Sequence, residues 1–292
     1  SRKLAEKGHE VLIISSDFDH FNKKHRNNSG RYISVGNDVK VLLINSPGYL
    51  KHIGLKRIID HSVLAWNLRR SLNELRIPDA IFVGYPPIET AWVVSRWAKK
   101  KRIKYAIDVK DAWPDLFLYA IPRYLRYIFR VLLTPYYIMS ADTLRNSSLI
   151  FATSEPFLEW SLRKAYRNRN ELDFVAPLTS EETIISMEDK AKARNFWDSL
   201  GVFESFKKRV FFVGSLTSSF DFKPLVELAK VSDVQVVIAG VGPVREELLE
   251  LSKNIKNLVL PGWINQSQQK VLAERSLFAV IPHINRFDFS MS

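Results

Sequence analysis

Nine short runs rich in β-branched and aromatic residues recur along this chain with longer amphipathic stretches between them, and this alternation narrows the possible folds more than any other feature. The first five are VLIIS (11–15), VKVLLI (39–44), AIFVGY (80–85), KYAIDV (104–109) and LIFATS (149–154). Strands separated by helix-length segments pair in parallel, each helix crossing a face of the sheet. The intervening segments carry the matching pattern. Leu64, Leu68, Leu72 and Leu75 fall on one helical face, and IETAWVVSRWAKKK (88–101) is apolar early and cationic late, which suits the negative end of a helix dipole. The expectation is a doubly wound α/β unit.

After DFVAPLTSEET (173–183) the pattern restarts with RVFFVG (209–214), VQVVIAG (234–240), NLVLPG (257–262) and LFAVIP (277–282), separated by helical segments at 222–231, 243–253 and 266–276. Two Rossmann-like units in series, 1–180 and 181–292, are therefore expected. Charge changes at the same place. Residues 1–180 hold 29 Lys and Arg against 17 Asp and Glu, residues 181–292 hold 14 of each, and the whole net charge of +12 belongs to the first part. That asymmetry fits an anionic partner for the first part alone, or simple solubility. Both ends read as cut. The chain opens inside a helix ending at Gly8, without the strand and phosphate-facing loop that usually begin such a unit, and stops at FDFSMS (287–292), just past a strand.

Composition removes several classes. With 46% hydrophobic and 25% charged residues the chain is globular in character, and zero cysteines exclude disulfides and thiolate metal sites. The most apolar region, YLRYIFRVLLTPYYIM (124–139), contains Arg126, Arg130 and Pro135 and falls short of the roughly 20 clean residues of a membrane span. No His-Glu-x-x-His, Gly-x-Ser-x-Gly or P-loop motif occurs. The basic residues form no recognition-helix or RNA-binding pattern, so nucleic acid is not an expected partner.

Ligands of parallel α/β sheets lie beyond the carboxyl ends of the strands, where loops diverge and helix N-termini present free N–H groups. DVKDAWPDLF (108–117) occupies such an end. Asp108, Asp111 and Asp115 are candidates to meet a ligand, with Trp113-Pro114 stiffening the turn; capping of the next helix by Asp111 or Asp115 is the alternative. GVGP (240–243) and VGSLTSSFD (213–221) place glycines at strand ends, either for close approach to a phosphate or for plain turns. His20, in SSDFDHF (15–21), follows another strand end beside Asp17 and Asp19. Arg123, Arg126 and Arg130 are spaced three and four apart, on one helical face, with Tyr124, Ile128, Leu132 and Leu133 alongside. That stretch fits either a helix resting on anionic headgroups or a buried one with snorkelling arginines.

Taken in order, these segments resemble one family. LAEKGHEVLIISSDFDHF (4–21) is similar to the opening of glycosyltransferases of the GT-B fold, and DVKDAWPDLF to their Asp-hydrophobic-Arg-Asp-Leu-Trp-Pro segment. FATSEPF (151–157), VFFVGSL (210–216), VIAGVGPVREELLEL (237–251), LVLPGWI (258–264) and FAVIPH (278–283) follow in family order, nearest to glycosyltransferase family 4 members that build surface polysaccharides. The resemblance implies two Rossmann-like domains facing across a cleft, and a retaining enzyme that moves a sugar from a nucleotide-diphosphate sugar to a glycan or lipid-linked acceptor. A nucleotide-sugar epimerase of the same fold and a non-catalytic nucleotide- or carbohydrate-binding scaffold are the alternatives. It implies a donor site at Gly214, Ser215, Lys223, Gly240, Gly242, Gly262, Trp263 and Ile264, and catalytic carboxylates at Asp108 and Asp111. The acceptor or membrane side then holds His20, Trp113, Arg123, Arg126 and Arg130, in a cytoplasmic protein peripheral to the inner membrane face. No metal or cofactor is implied. Where the family carries an arginine after the strand-end glycine this chain has Ser215, and Lys223 stands near the place of the family's lysine. The family's glutamate pair would lie past Ser292, so this chain by itself is expected to transfer little.

Overall fold

Each of the nine apolar runs forms a strand in the computed structural model, which describes residues 2–284 apart from 21, 28, 29, 37, 51–53, 120, 179–183, 204–207 and 232. The chain divides after Leu178 into two compact units.

The first unit opens with a single helical turn, α1 (Arg2–Ala5), and then β1 (Val11–Ser16). A small hairpin, β2 (Phe18–Asp19) with β3 (Lys24–His25), precedes β4 (Tyr32–Ser34) and β5 (Val39–Ile44). β1 and β5 run parallel from Val11 opposite Val39 to Ser16 opposite Ile44, and β4 joins β5 antiparallel. The helix α2 (Leu55–Leu72) leads to β6 (Ala80–Tyr85), α3 (Ile88–Lys101) and β7 (Lys104–Val109). Then come α4 (Asp115–Tyr119), a 3-10 turn at Arg123–Leu125, α5 (Arg126–Leu132), α6 (Thr134–Arg145), β8 (Leu149–Ala152), α7 (Glu155–Ala165) and β9 (Phe174–Val175). β6, β7, β8 and β9 form a parallel sheet in sequence order.

The core of this sheet is a cluster around Tyr85, Ile88, Ile107, Ile150, Phe157 and Trp160. A second cluster joins Leu42 and Ile44 of β5 to Leu68 and Leu72 of α2 and Trp97 of α3, so the leucine face expected from spacing is the buried face of α2. α3 ends where Arg102 takes the left-handed conformation (φ 57°) and its N–H closes on the Ala98 and Lys99 carbonyls, with Lys99, Lys100 and Lys101 in the last turn.

The second unit contains α8 (Met187–Ser199), β10 (Arg209–Val213), α9 (Lys223–Val231), β11 (Gln235–Ala239), α10 (Arg245–Ser252), β12 (Leu258–Gly262), α11 (Gln266–Glu274) and β13 (Phe278–Ala279). Its sheet is all parallel in the order β12-β11-β10-β13. The central strand β11 is buried at all five positions, as suits the apolar run Val236–Ala239 in a strand covered on both faces, and its one polar residue, Gln235, accepts from Arg209 Nε at 2.6 Å. α9 and α10 pack on one core cluster and α8 with α11 on another, where the Trp197 indole donates to the Gln268 carbonyl at 2.8 Å. Asn265 and Gln268 form a reciprocal capping box that starts α11.

Two expectations need correction. The stretch 123–133 is no single helical face: the 3-10 turn holds Arg123, α5 begins at Arg126 and ends at Leu132, and Pro135 stands in the first turn of a new helix, where its missing N–H costs nothing. And DFVAPLTSEET, which is not among the nine expected runs, supplies the edge strand β9 (Phe174–Val175), anchored by Asp173, whose carboxylate is held by Arg167 at 2.6 and 2.8 Å.

Candidate functional site

The carboxyl ends of β1 and β5 are tied together by Asp17. Its Oδ1 accepts the Ser46 N–H at 3.0 Å, its Oδ2 accepts from Asn45 Nδ2 at 3.1 Å, and His25 Nδ1 lies 3.4 Å from Oδ1. The aspartate that sequence reasoning placed beside His20 thus partners His25, while His20 sits exposed in the turn after β2. The loop after β5 must also pass close to β2: a Cβ on Gly48 would stand 2.6 Å from the Phe18 ring.

DVKDAWPDLF divides into three environments. Asp108, the penultimate residue of β7, pairs in register with Gly84 and Phe151 and holds Lys110 Nζ at 3.3 Å. Asp111 lies half-buried in the bend that follows, its carbonyl accepting the Trp113 N–H at 3.0 Å. Asp115 begins α4 and is consumed by structure: Tyr137 Oη donates to Oδ1 and Trp160 Nε1 to Oδ2, both at 2.7 Å, and Lys164 Nζ is 2.8 Å from Oδ2. Burial pushes this carboxyl's pKa up, but the hydrogen bonds from Lys164, Tyr137 and Trp160 outweigh it and hold it below the ordinary carboxylate value.

Trp113 is buried at the centre of a cluster that the sequence did not announce. The Tyr85 hydroxyl donates to its carbonyl at 2.6 Å. Its ring packs 4.6 Å from Phe117 and 6.2 Å from the His61 ring, and the Arg57 guanidinium lies over it at 4.7 Å. Arg57 also reaches toward the Tyr49 ring, 5.7 Å away, and Asp60 accepts the Gly48 N–H at 2.6 Å. His61 and Glu89 are only 6% and 7% exposed, with Nδ1 and Oε2 3.7 Å apart, and Tyr136 donates to Glu89 Oε1 at 2.9 Å. A histidine, an arginine and two acids gathered against aromatic rings at the ends of β5, β6 and β7 cost desolvation energy that apolar residues would not. Such groupings mark sites that bind or transfer protons. The signal was present. His61 shares the inward face of α2 with Ala65, Leu68 and Leu72, and Glu89 follows Pro86-Pro87 in the first turn of a helix leaving a strand end.

In the second unit the strand-end glycines serve backbone packing. A Cβ on Gly240 (φ +146°) would stand 1.8 Å from the Gly214 carbonyl oxygen, and one on Gly242 would stand 2.1 Å from the Leu216 oxygen. The Leu216 N–H donates to the Val241 carbonyl at 2.9 Å and the Gly240 N–H to the Gly262 carbonyl at 2.7 Å. The loops after β10, β11 and β12 are thereby laced into one surface. Ser215 is exposed on it, Lys223 is exposed at the start of α9 with its N–H on Asp221, and Trp263 is 70% exposed. The Ile264 side chain turns into the core beside Trp197 and Leu272.

The arginine stretch lies on the surface of the first unit. Arg126 Nε donates to the Ile121 carbonyl, Arg123 and Arg130 are exposed, and Tyr124 and Tyr127 are 81% and 80% exposed beside Ile128, Val131 and Leu132. Among the described residues no helix is long and apolar enough to cross a membrane.

No protein-family model matches the sequence, and no curated protein matches it either. Solved structures do match in fold. HepE of Anabaena in complex with UDP-glucose gives a TM-score of 0.51 at 15% identity over 82% of this chain and 60% of that one. WaaG, a glycosyltransferase involved in lipopolysaccharide biosynthesis, gives 0.55 at 11% identity over 98% of this chain and 70% of its own. UGT89C1 of Arabidopsis thaliana, complexed with quercetin, gives 0.52 at 16% over 95% and 68%. The present chain thus spans less than two thirds of the HepE chain. With α/β units built on parallel sheets and these neighbours, its fold is that of the GT-B glycosyltransferases.

Proposed function

We propose that the chain belongs to a retaining glycosyltransferase that moves a sugar from a nucleotide diphosphate to a glycan or lipid-linked acceptor. The fold is shared with HepE, whose complexes hold UDP-glucose or UDP. The observation that carries the reading is the buried trio His61, Glu89 and Asp60 with the Arg57 guanidinium over the Trp113 and Tyr49 rings: it gives the first unit polar chemistry at the strand ends where this fold takes its ligands.

In the proposed transfer, the bond from the anomeric carbon to the β-phosphate oxygen breaks and a bond to an acceptor oxygen forms on the same face of the sugar. The acceptor proton leaves to a carboxylate or to the departing phosphate. Asp108 or Asp111 receives it or stabilises positive charge on the sugar. The laced loops of the second unit, with Ser215, Lys223 and the exposed Trp263, take the donor. The scheme assigns no metal or cofactor. Its test is calorimetric titration of the full chain with UDP-glucose and with other nucleotide sugars. Saturable binding that Lys223→Ala weakens about tenfold is expected. Failure to bind any nucleotide sugar would contradict it.

The exposed tyrosines and aliphatic residues beside Arg123, Arg126 and Arg130 support a further element of the proposal. In this reading the first unit rests on an anionic membrane surface, aromatic rings at headgroup depth and cations against lipid phosphate, as a cytoplasmic protein acting at the inner face; the exposure of Tyr124, Tyr127, Ile128, Val131 and Leu132 supports it.

A further inference from the structure

The turn between β8 and α7 holds two hydroxyls that the fold leaves unused. Thr153 is 3% exposed, and neither its Oγ1 nor Ser154 Oγ, also buried, has a hydrogen-bond partner among the described residues. Ser154 is the N-cap of the 11-residue helix α7, yet its side chain caps no N–H. The first intrahelical bond runs from the Leu158 N–H to the Ser154 carbonyl, so the Glu155 and Phe157 N–H groups have no carbonyl of their own helix, and Pro156 has no N–H. A buried hydroxyl without a partner asks for a ligand or a water.

The unused groups at this turn can all donate. Two hydroxyls and two N–H groups stand at the positive end of a helix dipole, which favours an anion. Lys110 adds charge. Val109 and Ala152 are directly paired and the Thr153 N–H donates to the Val109 carbonyl, so Lys110 and Thr153 are neighbours where the ladder ends. The two acids nearby are engaged: Asp108 with Lys110 at 3.3 Å, and Glu155 with Arg169 at 2.6 Å.

From this juxtaposition we infer that Thr153, Ser154, the first turn of α7 and Lys110 form a phosphate-binding subsite. It rests on the reading of the first unit as the acceptor side, and deepens it: the acceptor carries a phosphate group.

The experiment is calorimetric titration of the full chain with inorganic phosphate and, separately, with glycerol phosphate, at constant ionic strength. Saturable binding is expected, weakened about tenfold by Thr153→Val or Ser154→Ala and retained by Thr153→Ser. Thermal unfolding of each variant checks that it is folded. Tighter binding of glycerol phosphate identifies a group carried on an acceptor, and tighter binding of the free ion would overturn the acceptor assignment. Binding that Thr153→Val and Ser154→Ala leave unchanged, or no binding of either probe, would overturn the subsite, the hydroxyls then being paired with water. Because no transfer is measured, a chain that binds phosphate but no nucleotide sugar would refute the proposed enzyme and leave this subsite standing.

Discussion

His61 Nδ1 lies 3.7 Å from Glu89 Oε2, and both side chains are more than nine-tenths buried at the strand ends of the first unit. Removing one of two buried polar partners leaves the other unsatisfied, at a cost of about 1–3 kcal/mol, to which the cavity adds, whereas replacing both with apolar groups of similar volume is often neutral or stabilising. Glu89→Ala should therefore lower stability by about 3 kcal/mol in denaturant unfolding. The double variant His61→Leu with Glu89→Met should keep most of it. If the pair exists for function, the double variant also loses the acceptor-dependent transfer that the unaltered sequence shows; retained transfer would make the pair purely structural.

Asp115 provides a pH prediction. Its folded pKa lies below the ordinary carboxylate value, so its contribution to stability is complete above about pH 4 and fades as pH falls through the lowered folded value. Asp115→Asn should cost about 2–3 kcal/mol at neutral pH, because Lys164 is left partly buried without its anion. The difference between wild type and variant should shrink in acid. A constant difference down to pH 2 would contradict the assignment.

Gly240→Ala tests the lacing of the second unit. The added Cβ collides with the Gly214 carbonyl oxygen and φ stays at +146°, so backbone must move, at a cost of roughly 3 kcal/mol or more. Gly84→Ala, whose Cβ would meet open space, should stay within about 0.5 kcal/mol of wild type. Equal effects of the two would refute the packing argument.

Binding to phosphatidylglycerol vesicles should fall steeply between low and physiological salt. It should weaken by about thirtyfold or more when Arg123 and Arg130 are both replaced by glutamate, each cation contributing about 1 kcal/mol near an anionic surface. Co-sedimentation reads the result. Binding that ignores both salt and these changes would remove the membrane element of the proposal.

The strands were legible in the sequence as short runs rich in β-branched and aromatic residues bounded by turn signals, and VKVLLI, AIFVGY and KYAIDV match β5, β6 and β7 end to end. β9 was not, since two residues of edge strand held by the Arg167 and Asp173 pair leave no periodic trace. The break at Leu133 was hidden for a related reason: the apolar pattern runs through it, and only the start of α6 at Thr134-Pro135 marks it. Asp108, Asp111 and Asp115 looked alike in sequence because spacing cannot show that Tyr137, Trp160 and Lys164, from two later helices, converge on the third. The Glu89 and His61 pair joins residues of different helices, and such a contact exists only once α2 and α3 have packed.

The central claim is that the second unit takes a nucleotide sugar on the loops that follow its strands. Amide hydrogen exchange of the full chain with and without saturating UDP-glucose tests it most directly. The account predicts slowed exchange at 213–217, 240–244 and 262–264, with the amino-terminal ends of β10, β11 and β12 unchanged; protection at those opposite ends, or none in this unit, would contradict it.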